Sequence, residues 1–202
     1  MPFSIPEPPE QRIRREKKEL RAHFRMLRKQ ISPESRNLLA SALLANLANN
    51  AAFRQSNRIL FYYPVKDEPN LLPLVRYALS LRKTVAFPCS DTEHFTLTFR
   101  CITDLGELSL GAYDIPEPTE AHPILNDFSD SLCVVPGLAF DYFGYRLGQG
   151  KGFYDRFLST YHGTSVGLSY SHCLLEQLPH DRYDRKVDLI ITEKGEMIPY
   201  EE

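Results

Sequence analysis

The stretch LCVVPGLAFDYFGYRLGQGKGFYDR, residues 132–156, decides how this chain is read. Leu132 to Val135 is a short apolar run closed by Pro136, the pattern of a buried strand. A turn-rich loop follows, and a helix is expected to start near Gly152, with Tyr154, Phe157, Leu158 and Tyr161 as its apolar face. In open α/β sheets, ligands bind at such a strand–loop–helix junction. Gly148, Gly150 and Gly152 alternate, and without Cβ atoms their backbone can come close to a ligand and turn N–H groups toward it. The positive end of the following helix points to the same place. Arg146, Lys151 and Arg156 add full charge, so the loop reads as a phosphate cradle. It matches neither the GxxxxGK[ST] loop nor the dinucleotide fingerprint. A purely structural turn is the alternative, and the two cations inside the loop weigh against it.

The flanks supply the rest of an α/β fold. Arg58 to Tyr63 reads as a strand ended by Pro64. Asn70 caps a helix to about Leu81, and Thr84 to Phe87 forms a second strand stopped by Pro88. Strand, helix, strand at this spacing is a βαβ unit with a parallel pair. His94 to Phe99 alternates as a half-exposed strand, and residues 104–127 are loop-rich. Ser165 to Leu168 and Val187 to Ile191 are the last two strands. Ser32 and Pro33 open a Leu/Ala-rich helix to about residue 50. The expected architecture is α/β, a single domain with a mainly parallel sheet and helices on both faces, a Rossmann-like three-layer arrangement. Residues 1–11 read as a loose, proline-rich leader and 12–202 as the domain.

Residues 12–29 hold nine basic and two acidic residues. Ile13, Leu20, Phe24 and Leu27 fall at helical spacing, and Arg14, Lys17, Arg21, Arg25 and Arg28 repeat the rhythm one step round. This is an amphipathic helix with a basic stripe. A solvated charged face is the simple reading and an anion site the functional one.

Bulk properties exclude several classes. The chain has 202 residues, enough for one sizeable core, with 43% hydrophobic and 25% charged residues and a formal net charge of -2. No global polycation seeks nucleic acid, no apolar run approaches the roughly 20 residues of a membrane span, and MPFSIPEPPEQ lacks the apolar core of a signal peptide. The four cysteines form no CxxC pair and read as small core residues of a cytoplasmic protein. The histidines show no metal-binding spacing.

Two carboxylates stand out. Asp155 lies just beyond the cradle, where a carboxylate beside phosphates commonly holds Mg²⁺. Asp188 interrupts the apolar run 187–191, where an unpaired carboxylate is costly. It either pairs with Lys186 or Arg185 or reaches a metal from a strand end.

PGLAFDxxGxRLGxGKGxYDR closely resembles the C-terminal motif of the 5-formyltetrahydrofolate cyclo-ligases. Lys17-Lys-Glu-Leu-Arg21 resembles the family's N-terminal KxxLR, Phe61 to Glu68 its strand and Glu-containing loop, Gly111 to Pro118 its GxxxIxEP segment, and Lys186-Val-Asp188 its late KVD. The resemblance covers about residues 17–191 in the family's order. It implies an ATP- and Mg²⁺-dependent enzyme that closes 5-formyltetrahydrofolate to 5,10-methenyltetrahydrofolate and releases ADP and phosphate. Lys17 and Arg21 would face the ATP phosphates. The run Arg146, Leu147, Gly148, Gln149, Gly150, Lys151, Gly152, Phe153, Tyr154 would wrap the nucleotide, its segment 149–153 also meeting the formyl end of the folate. Tyr63 and Glu68 would contact the folate, Asp155 and Asp188 would serve Mg²⁺, and Lys17, Arg146, Lys151 and Tyr154 would be catalytic. Gln149 stands where Arg is usual in that family and Phe153 where Tyr is common. A monomer with small-molecule substrates only, using neither nucleic acid nor membrane, is expected. The alternatives are a sugar-phosphate isomerase or CoA-transferase-like enzyme, which would not need the Asp155/Asp188 pair, and an RNA binder using helix 12–29.

Overall fold

Alternation of apolar residues along short strands builds the frame, seen in a computed structural model that describes residues 7–201. Helix α1 spans Pro9–Lys29, with proline in its first turn, where the missing N–H costs nothing. Residues 9–11 are therefore helical rather than part of a leader, whose first six residues lie outside the described ones. Helix α2, Pro33–Asn49, begins as expected: Ser32 Oγ accepts the Ser35 N–H at 3.2 Å. Asn50 caps the short α3, Ala51–Gln55.

Strand β1 (Arg58–Leu60) leads through α4 (Leu72–Ser80) to β2 (Thr84–Asp91), and β3 (Thr96–Ile102) folds back on β2. A small ribbon, β4 (Ser109–Leu110) with β5 (Pro116–Glu117), precedes β6 (Ser131–Val135). Strands β7 (Ala139–Asp141) and β8 (Arg146–Leu147) form a hairpin, followed by α5 (Phe153–Leu158). The chain then runs through β9 (Thr164–Leu168), β10 (Leu174–Leu175), β11 (Leu189–Thr192) and β12 (Gly195–Met197). The main sheet has the order β12-β11-β9-β6-β1-β2-β3, parallel except at its two edge strands.

Side chains alternate across this sheet. Ile59, Leu132, Val134, Val166 and Ile191 face a core shared with α1, α2 and α4. Leu60, Cys133, Val135 and Ile190 face a second core that Phe140 of the β7–β8 hairpin and Phe157 of α5 complete. Helices thus cover both faces. Cys133 and Cys173 are buried thiols in these cores.

The second strand does not stop at Pro88. The Ala86 carbonyl accepts from Phe61, so even-numbered residues of β2 face β1. The register with β1 ends at Ala86, so Pro88 points its missing N–H where no ladder remains, while the pairing with β3 continues to Asp91.

Candidate functional site

The parallel strands end together on one edge, and a cavity of about 640 Å³ opens there, lined by chain leaving β1 (Tyr62, Tyr63) and β6 (Pro136 to Leu138) and by the last residues of β2 (Pro88, Ser90). Every site residue expected from the family resemblance lines it except Asp188, and Arg156, the third cation read into the cradle, does not line it either.

The glycine loop is positioned from below by Asp141. Its buried carboxylate accepts the N–H groups of Phe143 (3.0 Å), Tyr145 (2.9 Å) and Leu178 (2.8 Å), which shapes the turn of the β7–β8 hairpin. That hairpin delivers Arg146, whose guanidinium pairs with the Asp155 carboxylate at 2.9 Å and lies 5.5 Å from the Tyr154 ring centre. A Cβ at Gly148 would stand 2.5 Å from an Arg146 nitrogen, so a side chain there would push the guanidinium aside. Gly150 has φ +102°, a conformation that strains any side chain. The helix behind the loop, α5, is only six residues long.

The basic stripe of α1 forms the facing wall. Lys17 Nζ donates to Asp184 Oδ2 at 2.5 Å, Arg21 Nε to the Gly148 carbonyl at 2.8 Å, and Arg25 to Gln149 Oε1 at 2.7 Å. Arg28, 2% exposed, donates to the Gly137 and Leu138 carbonyls. The spacing of about four residues puts all four on one helix face; Lys17, Arg21 and Arg28 are at least partly buried, while Arg25 reaches Gln149 from an exposed position. Arg14, one turn earlier, is exposed. Burial, with Arg25 alongside, lowers the Arg21 guanidinium from its ordinary value.

Burial also raises the Tyr62 and Tyr154 phenols well above their usual range, so both are neutral O–H groups. Tyr154 Oη and Arg146 Nε are buried with no hydrogen-bond partner among the described residues. Such orphans call for a ligand or water. The Glu68 carboxyl accepts the Val65 N–H at 3.1 Å, and burial pushes it up to about 7. On the rim, Phe153 meets Phe95 and Tyr113 edge-on, at 5.8 and 6.3 Å between ring centres.

The structure separates the two aspartates expected to share a metal. Asp188 Oδ2 accepts both the N–H and the hydroxyl of Ser165, each at 2.7 Å, at the amino end of β9. Strand β11 begins only at Leu189, so Asp188 precedes the strand and satisfies the start of its neighbour. Asp184, rather than Asp188, lines the cavity with Asp155. The Arg185 N–H donates to Asp155 Oδ1 at 3.3 Å, which ties the two acidic segments together. Asp184 and Asp188 lie four residues apart and both precede β11; Asp184 faces the cavity, whereas Asp188 is bonded to Ser165.

Among the described residues no group of three or more His, Cys, Asp or Glu is placed to hold a metal ion. Mg²⁺ does not need one, since it commonly takes one or two carboxylates together with substrate phosphates. Asp155 and Asp184 fit that donor set. Other cavity residues to which the sequence assigned no role include Tyr62, Lys66, Tyr113, Asp114 and Glu117. For Tyr113 the signal is conformational, φ +57°, and invisible in the sequence.

The model of the 5-formyltetrahydrofolate cyclo-ligase family matches residues 13–193. A probable 5-formyltetrahydrofolate cyclo-ligase of Caenorhabditis elegans is 26% identical over 202 residues, covering 94% of this chain and 98% of its own. Its counterpart in Schizosaccharomyces pombe is 30% identical over 69% of this chain and 76% of its own. The NMR structure of 5,10-methenyltetrahydrofolate synthetase from Aquifex aeolicus superposes with a TM-score of 0.81 at 35% identity, covering 92% of this chain and 94% of that one.

Proposed function

The chain belongs to the 5-formyltetrahydrofolate cyclo-ligase family, and from that premise we propose that it closes 5-formyltetrahydrofolate to 5,10-methenyltetrahydrofolate, using ATP with Mg²⁺ and releasing ADP and phosphate. The observation that carries this reading is one cleft. It holds Lys17, Arg21, Arg146 and Lys151 around a glycine loop, and it also holds Glu68, with a carboxyl near 7. The first group suits a polyphosphate. Glu68 suits the pterin N–H donors when ionised.

The chemistry needs both ends. An N-formyl carbon is a poor electrophile, and its oxygen must leave for N10 to close the ring. The formyl oxygen attacks the γ-phosphorus, ADP departs, and an imidate phosphate results. N10 adds to the activated carbon and loses its proton. Phosphate then leaves with the former formyl oxygen. Most of the protein's contribution is positioning and charge neutralisation. Lys17, Arg146 and Lys151 offset charge on the transferring group, and Tyr154 offers a neutral buried O–H. The buried walls limit water that would hydrolyse the imidate phosphate. Bound Mg²⁺ would neutralise phosphate charge, with Asp155 and Asp184 to hold it.

A cytosolic setting suits the four free thiols, and no helix among the described residues is long and apolar enough to cross a membrane. Lys17, Arg21, Arg25 and Arg28 bond to the loops around the cleft, which favours a role for this part of the helix in the cleft over one in RNA binding.

Incubation with 5-formyltetrahydrofolate and ATP–Mg tests the proposal directly. Methenyltetrahydrofolate, followed by its absorbance, should form with one ADP and one phosphate per turnover. Equal product without ATP would overturn it.

A further inference from the structure

We infer that Lys17 and Arg146 are held in ion pairs with Asp184 and Asp155 that nucleotide binding exchanges, so that the cleft accepts ATP and Mg²⁺ as a unit and disfavours either alone. The inference rests on the reading that nucleotide phosphates bind in this cleft.

Each pair joins a cation of the phosphate wall to a carboxylate suited to Mg²⁺. Lys17 meets Asp184 at 2.5 Å with side chains 12% and 15% exposed, and Arg146 meets Asp155 at 2.9 Å with side chains 5% and 21% exposed. The backbone keeps both carboxylates in place when the cations leave. Asp184 Oδ2 also accepts the Asp181 N–H at 2.7 Å, and Asp155 Oδ1 accepts from Arg185.

Largely buried charges tolerate a change of partner but not the loss of one. Metal-free ATP that draws Lys17 and Arg146 to its phosphates leaves two carboxylates uncompensated beside a polyanion. Mg²⁺ alone that draws the carboxylates leaves two cations uncompensated. ATP and Mg²⁺ together give each of the four groups a new partner of opposite sign. The four paired groups neutralise one another before the nucleotide binds and are neutralised by exchange once it has bound. Metal preference then resides in the ion pairs as well as in direct metal ligation.

Asp184→Asn separates these roles, because Asn keeps an oxygen for the Asp181 N–H and removes the charge that restrains Lys17. Without folate there is no turnover, so binding is measured directly by calorimetry, with ATP in excess chelator and with ATP in excess Mg²⁺. Compared with the wild type, the variant should bind metal-free ATP on the order of tenfold more tightly and Mg-bound ATP more weakly. As an independent arm, Lys17→Met releases Asp184, and Mg²⁺ alone should raise its melting temperature more than that of the wild type. That arm decides the question if Asp184→Asn does not fold. Suppose the wild type binds Mg-bound ATP but Asp184→Asn binds metal-free ATP no better than wild type. The exchange is then overturned and the proposed function stands. A wild type that binds ATP in neither form overturns both.

Discussion

Arg21 Nε donates to the carbonyl oxygen of Gly148 at 2.8 Å, tying the first helix to a loop 127 residues further along the chain. The bond explains how a mobile-looking glycine loop is given one shape. Arg21 holds its first glycine, Arg25 holds Gln149, and Arg28 anchors the strand exit at Gly137 and Leu138. The helix is therefore a wall of the cleft rather than an appendage to it.

Gly150→Ala tests this wall. At φ +102° a side chain is strained, and its Cβ would stand 3.3 Å from Arg21 Cζ. The strain is of order 1–3 kcal/mol. Part of it should be relieved by pushing the loop off Arg21. A severalfold rise in KM for ATP and a melting point lower by a few degrees are expected, from steady-state kinetics and thermal unfolding. Unchanged values for both would mean that the loop is not held by the helix.

Glu68 makes stability depend on pH in a defined direction. Burial raises its carboxyl to about 7 in the folded chain, from 4.5. Below about 4.5 both states carry the proton and nothing is lost. Between about 4.5 and 7 the unfolded chain ionises while the folded chain does not, so folding becomes progressively costlier, and above 7 the cost is constant. Glu68→Gln removes it. The variant should match the wild type near pH 4 and gain stability through the window, reaching at most about 3 kcal/mol above pH 7. Denaturant unfolding at several pH values checks this. KM for the folate should rise in the same variant, since an amide cannot supply the ionised acceptor.

Asp155 and Asp188 should now separate. Asp155→Asn should lower turnover at least about tenfold, as expected for loss of a charged ligand, and added Mg²⁺ should restore part of it. Asp188→Asn should leave the Mg²⁺ dependence untouched and cost about 1 kcal/mol of stability, from weaker bonds to Ser165. Mg²⁺ titrations of both variants decide it, and a metal-dependent defect in Asp188→Asn would return that residue to the site.

The same pair shows where sequence reading stops. The βαβ order and the strand–loop–helix junction at 132–156 were legible because short apolar runs, prolines and glycines impose local structure on any chain. Family motifs then carried nearly every cavity residue. Asp184 and Asp188 could not be told apart, because the apolar run 187–191 suggests a strand from Val187, whereas pairing with β9 starts at Leu189. That difference places Asp188 at the amino end of β9 and leaves Asp184 in the cleft. Pro88 misled for a related reason: whether it ends a strand depends on which neighbour its missing N–H faces. The aromatic rim at Phe95 and Tyr113 rests on backbone conformations of positive φ that neither residue type announces.

Lys17 gives the sharpest test of whether helix and loop serve one ligand. It lies far in sequence from the glycine loop, yet it lines the same cavity and is largely buried against Asp184. Lys17→Ala should therefore raise KM for ATP and leave KM for the folate little changed. The loss should exceed the ~1 kcal/mol typical of an exposed ion pair, because charge-assisted bonds to phosphate are stronger. Arg14 is the internal control, on the same stripe but exposed a turn earlier. Arg14→Ala should change neither constant. Removing Lys17 also leaves Asp184 without its cation, so some loss of stability is expected and the thermal midpoint must be measured alongside. A fall in stability with both KM values unchanged would make Lys17 a structural tie. Equal small effects from Lys17 and Arg14 would leave the glycine loop to hold the nucleotide without the helix.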